Sequence, residues 1–366
     1  MKSSATKVLV VGSHSDSGFS MLNFTRDNFT ALKSIDTDIE LFFTKPLKVF
    51  SKILPRFTTR KYLAYLDKFI LFGPYLTILV LVKRVNVVHV LDQSDAIYRF
   101  FVKENCKFIV TVHDLFAIQA AEGRIPDVVT AYPGKVYQKL ISVGLAKADL
   151  ALAISATTER DVKTLFPKLP TQVTHNFINT GNFELPTFEQ ENHSDNFFLI
   201  LMNAHWRKDR LTSISVWKTL LQLQKFRNSS LVVVGNQLTD DELSLISARL
   251  ISHVSVFEYL TNKEIANLYR RCIGVINISK YEGFGLPIIE ANAYGRICIY
   301  GGSAAFQEIA GQSNIDWDET KRHPISQEFS EMIVSSARRK MSYEHVLQNF
   351  SVQKYTDSIC SVYMSL

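Results

Sequence analysis

A chain of 366 residues, 46% hydrophobic and 21% charged, is long enough for about two domains with ordinary cores and too apolar for a disordered tail or tract. The four cysteines, Cys106, Cys272, Cys298 and Cys360, lie far apart with no C-x-x-C pair, which argues for reduced structural thiols in a cytosolic protein. The net charge of +6 is uneven: residues 1–180 hold 23 Lys and Arg against 15 Asp and Glu, a balance of +8, and residues 181–366 hold 18 against 20, a balance of −2.

The N-terminus, "MKSSATKVLVVGSHSDSG", runs from a short polar lead straight into a strand, with no long apolar core before a cleavage site, so no secretory signal is expected. "KVLVVGS" (7–13), "IELFFT" (39–44), "VNVVHVL" (85–91), "KFIVTVHDL" (107–115) and "ADLALAIS" (148–155) read as buried parallel strands, and "TQVTHNF" (171–177) as a sixth. Helical patterns such as 133–147 lie between them. "GSHSDSG" does not match G-x-G-x-x-G, which counts against a nicotinamide-dependent enzyme. In "KPLKVFSKILPRFTTRKYLAYLDKF" (45–69) Lys and Arg alternate with Leu, Phe, Tyr and Ile. That mixture suits a helix face lying on anionic lipid, or an ordinary solvated face. No recognised nucleic-acid module accompanies the basic residues, so nucleic acid is not expected as a partner. "FILFGPYLTILVLV" (69–82) is uncharged but shorter than the roughly 20 residues a membrane crossing needs, and is expected as a buried helix.

The polar stretch 181–195 contains Pro186, breaks the periodicity and reads as a linker. A second set of strands follows: 196–204, 229–237, 254–260, 273–279 and 296–302, with helices over 240–252, 262–271 and 287–294. The final "SYEHVLQNFSVQKYTDSICSVYMSL" reads as helical. The expectation is an α/β protein of two doubly wound, Rossmann-like domains, 1–180 and 181–345, facing each other across a cleft, with 346–366 packing back on the first.

The chemistry concentrates in "SKYEGFGLPIIEANAYG" (279–295). A strand ends at Ser279, a turn carries Gly283 and Gly285, Pro287 suits the first turn of a helix, and Gly295 closes it. A helix N-terminus beside glycine amides suits a phosphate, and the carboxylates of Glu282 and Glu290 accept hydrogen bonds from sugar hydroxyls. A nucleoside diphosphate sugar offers both groups. Taken alone, Arg207 and Lys208 read as surface charge and His113 as a core histidine. Asp36-x-Asp38 and Asp316-x-Asp318 resemble metal-binding pairs but follow no long buried strand, and no metal is expected.

The 279–295 segment resembles the signature of retaining GT-B glycosyltransferases of family 4, in which two glutamates eight positions apart flank a GFGLP turn. "FLILMNAHWRKDR" (198–210), "LVVVGN" (231–236), "VFEYLTNKEIANLYRRC" (256–272) and "GGSAAFQEIAG" (301–311) extend the resemblance. In the first half "TVHDL" (111–115) and "ADLALAISATTERDV" (148–162) carry it. It implies that Glu282 contacts the donor hexose and Glu290 the ribose. Amides of Phe284, Gly285 and Leu286 would face the sugar and diphosphate, which Arg207 and Lys208 would bind. Tyr259 and Leu260 would contact the base, His113 would stand near the anomeric carbon, and Gly12 and Gly18 would bring a backbone loop close to the donor or acceptor. The activity implied is a metal-independent, cofactor-free hexosyltransferase. It would act on a glycan acceptor in surface polysaccharide biosynthesis on the cytoplasmic side, and the basic, aromatic stretch 45–69 adds the expectation of a polyprenyl- or lipid-linked acceptor and a peripheral place on the membrane. The rival reading is a non-catalytic sugar-nucleotide-binding scaffold of the same fold.

Overall fold

The computed structural model describes residues 6–14, 19–35, 39–47, 49–50, 63, 65–126, 128–179, 195–322 and 325–366. Gly18, the Asp36-x-Asp38 pair, most of the basic stretch between 48 and 64, and all but the last residue of the expected linker lie outside them. The chain divides into two compact units, Met1–His175 with Tyr355–Leu366, and Asn176–Lys354.

The first unit is built on six parallel strands: β1 (Thr6–Val11), β2 (Ile39–Thr44), β3 (Val87–Val90), β4 (Lys107–Val112), β5 (Leu150–Ala153) and β6 (Thr171–Val173). Their order is β2-β1-β3-β4-β5-β6. The central strands are runs of Val, Ile, Leu and Ala buried on both faces, as a sheet covered on both sides requires. Helices α1 (Phe19–Lys33), α2 (Gly73–Lys83), α3 (Phe116–Ala121), α4 (Tyr132–Ala146) and α5 (Ala156–Leu165) connect them. The order reverses between β1 and β3, so the loops after β1, β3 and β4 meet at a switch point, the usual ligand position in such sheets.

One element here was not anticipated, and one expectation changes. Residues 93–101 form a 3-10 helix, started by Asp92, whose Oδ1 accepts from Ser94 N at 2.7 Å. Residues 69–82 are not a buried helix. A π-helical turn, Asp67–Phe72, runs into α2, and the run buries Phe72, Gly73, Leu76 and Val80 while its opposite side is exposed.

The second unit repeats the architecture with β7 (Phe197–Leu201), β8 (Ser230–Val234), β9 (Val254–Phe257), β10 (Gly274–Ser279), β11 (Cys298–Gly302) and β12 (Ile315–Asp316), ordered β12-β11-β10-β7-β8-β9 and all parallel. Its helices are α6 (Arg210–Leu220), α7 (Asp240–Leu245), α8 (Asn262–Arg271), α9 (Leu286–Ala293), α10 (Ala304–Ile309), α11 (Trp317–Thr320), α12 (Gln327–Val334) and α13 (Ser336–Asn349). The switch point falls between β7 and β10. The helix expected over 240–252 stops at Leu245, because Ile246 turns to an extended conformation and enters the core. The helical tail is two helices, α13 and α14 (Val352–Ser365), split where Phe350 packs edge-on against Phe284 at 5.7 Å and its carbonyl accepts from Ile178 N at 2.9 Å. From Tyr355 onward α14 belongs to the first unit. The Tyr355 hydroxyl donates to Asn28 Oδ1 at 2.5 Å, and Tyr363 bonds His89 Nδ1 at 2.7 Å.

Candidate functional site

The loops that leave β7 and β10 are zipped together at the second unit's switch point. Asp209 N donates to Ile278 O at 3.0 Å, Lys280 N donates to Arg207 O at 2.8 Å, and Lys208 and Ser279 form an antiparallel bridge. This pairing sets Lys208 Nζ on Glu282 Oε1. The same oxygen accepts from Ser279 Oγ at 3.0 Å, and Glu282 N donates to Ser303 Oγ at 3.2 Å, so Lys208 and Ser279 hold the carboxylate and Ser303 holds the Glu282 backbone. Both charged groups are half-buried, which strengthens their fields relative to a fully solvated pair. His205, two residues before Arg207, is held below its ordinary 6.5 by burial and by the Arg207 and Lys208 cations, a sign of local positive potential.

Helix α9 starts directly after this loop. Gly285 is its N-cap at φ +133, a region closed to most side chains, and an added Cβ would meet the Phe306 ring at 3.0 Å. Pro287 stands in the first turn, and Gly295, at φ +62, ends the helix. The positive end of the helix thus lies at the carboxyl end of β10, beside Lys208. Phe284 turns its ring into the core, so only its backbone can serve a ligand. Trp206 and Tyr281, ring centroids 5.5 Å apart, add a half-exposed aromatic wall to the same loops.

Glu290 sits about one turn into α9, where its Oε2 accepts from the Tyr269 hydroxyl at 2.7 Å. Burial holds the Glu290 carboxyl above the ordinary carboxylate range, and the Tyr269 bond draws it part of the way back. Tyr269 stacks on Tyr294 at 5.4 Å. Leu260 lines a cavity of about 380 Å³ with Phe257, Lys263, Glu264, Asn267, Leu268 and Arg270. Tyr259 is not among the lining residues and is exposed.

The loop carrying Arg207 and Lys208 is anchored by Arg210, which is buried. Its guanidinium grips Glu242 through Nε at 2.7 Å and Nη2 at 2.5 Å, and donates to the carbonyls of Asn236 at 2.8 Å and Gln237 at 2.9 Å. Asn203 and Asn236 complete the anchor: Asn236 N donates to Asn203 Oδ1 at 2.9 Å and Ala204 N to Asn236 Oδ1 at 2.6 Å. Sequence reasoning missed this clamp and missed Tyr269, Ser279 and Ser303. The T-x-x-E spacing of Thr239 and Glu242, a capping box in the structure, was its one visible trace.

In the first unit His113 follows β4. Its Nε2–H donates to Leu91 O at 3.0 Å, which leaves Nδ1 as the lone-pair nitrogen, and Phe24 packs edge-on at 4.6 Å. Asp114 Oδ1 accepts from Phe116 N at 3.3 Å, a loop anchor. Gly12 does not present its amide to a ligand. The amide donates to Thr44 O at 2.9 Å, and a Cβ there would meet Thr25 at 2.3 Å, so close packing of α1 on the sheet requires the glycine. The Asp316-x-Asp318 pair is structural: Asp316 caps α11, and Asp318 accepts from Lys321 Nζ and Gly302 N. Among the described residues no group of three or more His, Cys, Asp or Glu converges as a metal site.

Residues 183–315 match the family model of glycosyl transferases group 1. The span holds Arg207, Lys208, Tyr269, Glu282 and Glu290, the whole of the site described in the second unit. The fold is GT-B. Sucrose-phosphate synthase from Thermosynechococcus elongatus superposes with a TM-score of 0.71 at 14% identity, over 98% of both chains. Anabaena HepE in complex with UDP-glucose superposes at 0.61 and 13% identity, over 98% of this chain and 100% of that one. The lipopolysaccharide outer core galactosyltransferase WaaB does so at 0.60 and 12% identity, over 99% of this chain and 100% of the other. No curated protein matches the chain by sequence.

Proposed function

We propose that the protein is a retaining, metal-independent glycosyltransferase that moves a hexose from a nucleoside diphosphate sugar to a glycan or lipid-linked acceptor of a surface polysaccharide. The observation that carries this reading is the Lys208–Glu282 pair at the switch point beside the start of α9. A donor entering there exchanges the pair's mutual bond for two new ones, Lys208 to the diphosphate and Glu282 to hexose hydroxyls. As the glycosidic bond breaks, negative charge gathers on the departing diphosphate. Lys208, Arg207 and the helix end favour that state over the bound donor, which lowers the barrier without a metal. Glu290 holds the ribose, and Leu260 adjoins the base in the neighbouring cavity. For the first unit the reading assigns His113 a contact with the transferred sugar. The complex of Anabaena HepE with UDP-glucose makes uridine diphosphate hexoses the first donors to test.

The test is release of nucleoside diphosphate from a panel of nucleotide sugars, with a chelator present, followed by proton NMR of the product's anomeric centre. Release from at least one donor, undiminished by chelation and with configuration kept, is expected. Binding of a donor with no turnover under any acceptor would favour a scaffold. Chelator-sensitive release would remove the metal-independent part of the reading.

A further inference from the structure

The π-helical turn and α2 together are apolar all round: no charged residue lies between Phe69 and Val82. A helix of that kind is stable when both of its sides are covered, by protein or by lipid. One side is covered here, where Phe72, Leu76 and Val80 pack into the core of the first unit. The other presents Ile70 at 60% exposure, Tyr75 at 50%, Ile78 at 60% and Val82 at 72%. Leu71, Tyr75, Ile78 and Val82 fall at i, i+4, i+7 and i+11, one stripe along the helix. The charges of the first turn are directed inward instead. Asp67 Oδ1 accepts from the amides of Val49 and Phe50, and Lys68 Nζ donates to Asp95 Oδ1 at 3.0 Å. The first of those bonds holds the exposed Val49 beside the start of the stripe.

Among the described residues the exposed charges that adjoin the stripe are cations, since Asp67 is buried and Lys68 is paired with Asp95. Exposed Lys83 and Arg84 follow directly on Val82, and exposed Lys45 precedes Leu47. No helix among the described residues is long and apolar enough to cross a membrane. An apolar stripe with a basic rim and no crossing length suits the plane of an anionic bilayer surface. A second copy of the chain suits it less, because a two-fold contact would bring two basic rims together.

We infer that the outer face of Asp67–Lys83 seats the first unit on an anionic lipid bilayer, with Ile70, Tyr75, Ile78 and Val82 among the acyl chains and Lys45, Lys83 and Arg84 at the phosphates. The inference goes beyond the transfer reading and stands if that reading falls, since it is tested without any sugar nucleotide.

The test is flotation of the full chain with vesicles of phosphatidylcholine, alone or mixed with phosphatidylglycerol. The wild type is expected to float with the mixed vesicles, less so as salt is raised, and weakly with phosphatidylcholine alone. Ile78→Glu with Val82→Glu is expected to lower partitioning at least about tenfold, and Ile78→Ser with Val82→Ser to lower it by less. Both changes fall on exposed side chains, and thermal melting reads whether each variant is folded. No flotation of the wild type, or flotation unchanged in a folded variant, overturns the inference. So does a dimer of the wild type, read by light scattering, that the same substitutions dissolve.

Discussion

At the scale of single residues, the proposed function makes the bond from the Tyr269 hydroxyl to Glu290 the control on how the donor's ribose would be held. Glu290 can accept ribose hydroxyls fully only as a carboxylate, yet burial holds its pKa above the ordinary range. The raised pKa sets the sign: donor affinity is full above it and falls as the pH drops through it. The Tyr269 bond lowers that pKa, so Tyr269→Phe is expected to shift the fall in affinity to higher pH. Below that pKa it should raise the donor KM and leave kcat within a few-fold, because the change acts on the charge of Glu290 and not on the departing diphosphate. A KM-against-pH profile for both proteins checks this; an unmoved profile would leave Tyr269 a packing residue. Glu282 and Glu290 stood out in the sequence because they flank a glycine turn that starts a helix, whereas Arg207 and Lys208 read alone as surface charge and were singled out only through the family resemblance. Tyr269 was not legible, because it reaches Glu290 from another helix, 21 residues away in sequence, and only packing decides which way it points.

At the scale of elements, the docking of α14 on the first sheet passes through one buried imidazole. His89 lies between Tyr363 and Thr111, at 2.7 and 2.8 Å, and burial brings its pKa from 6.5 down to about 3. The unfolded chain takes up the proton near 6.5 and the folded one only near 3, so between those values the unfolded state binds more protons and stability falls with acid. The loss reaches on the order of 3 kcal/mol at pH 4. His89→Gln is expected to be less stable at pH 7 but to lose less on acidification. Urea unfolding at pH 7, 5 and 4 checks this; parallel losses in both proteins would place the acid sensitivity elsewhere. Sequence periodicity found both sets of central strands, since runs such as Val8–Val11 have no other stable home. It failed where tertiary packing overrode it. Ile246 and Phe350 leave helical patterns to enter the core, β12 has only two residues, and α2 looks buried from its composition although one side is open.

At the scale of the whole molecule, the two units divide the charge between them. The basic excess lies in the first half, where exposed Lys45, Lys83 and Arg84 adjoin the outer face of α2, whereas the second half, with a balance of −2, carries the adjacent cations Arg207 and Lys208 at its switch point. On the two proposals, an anionic lipid surface and an anionic donor would be addressed by different parts of the chain. The two tandem α/β sheets could be read in the sequence because each strand is a self-contained apolar run. The Arg210–Glu242 clamp beneath the donor loop could not, because a buried ion pair is indistinguishable in sequence from two surface charges. The central claim is that Lys208 stabilises the departing diphosphate, and steady-state kinetics of Lys208→Ala on the best donor tests it most directly. A fall in kcat of at least about a hundredfold is expected, with a smaller change in donor KM. A kcat within about threefold of the wild type, in a variant that melts normally, would contradict it.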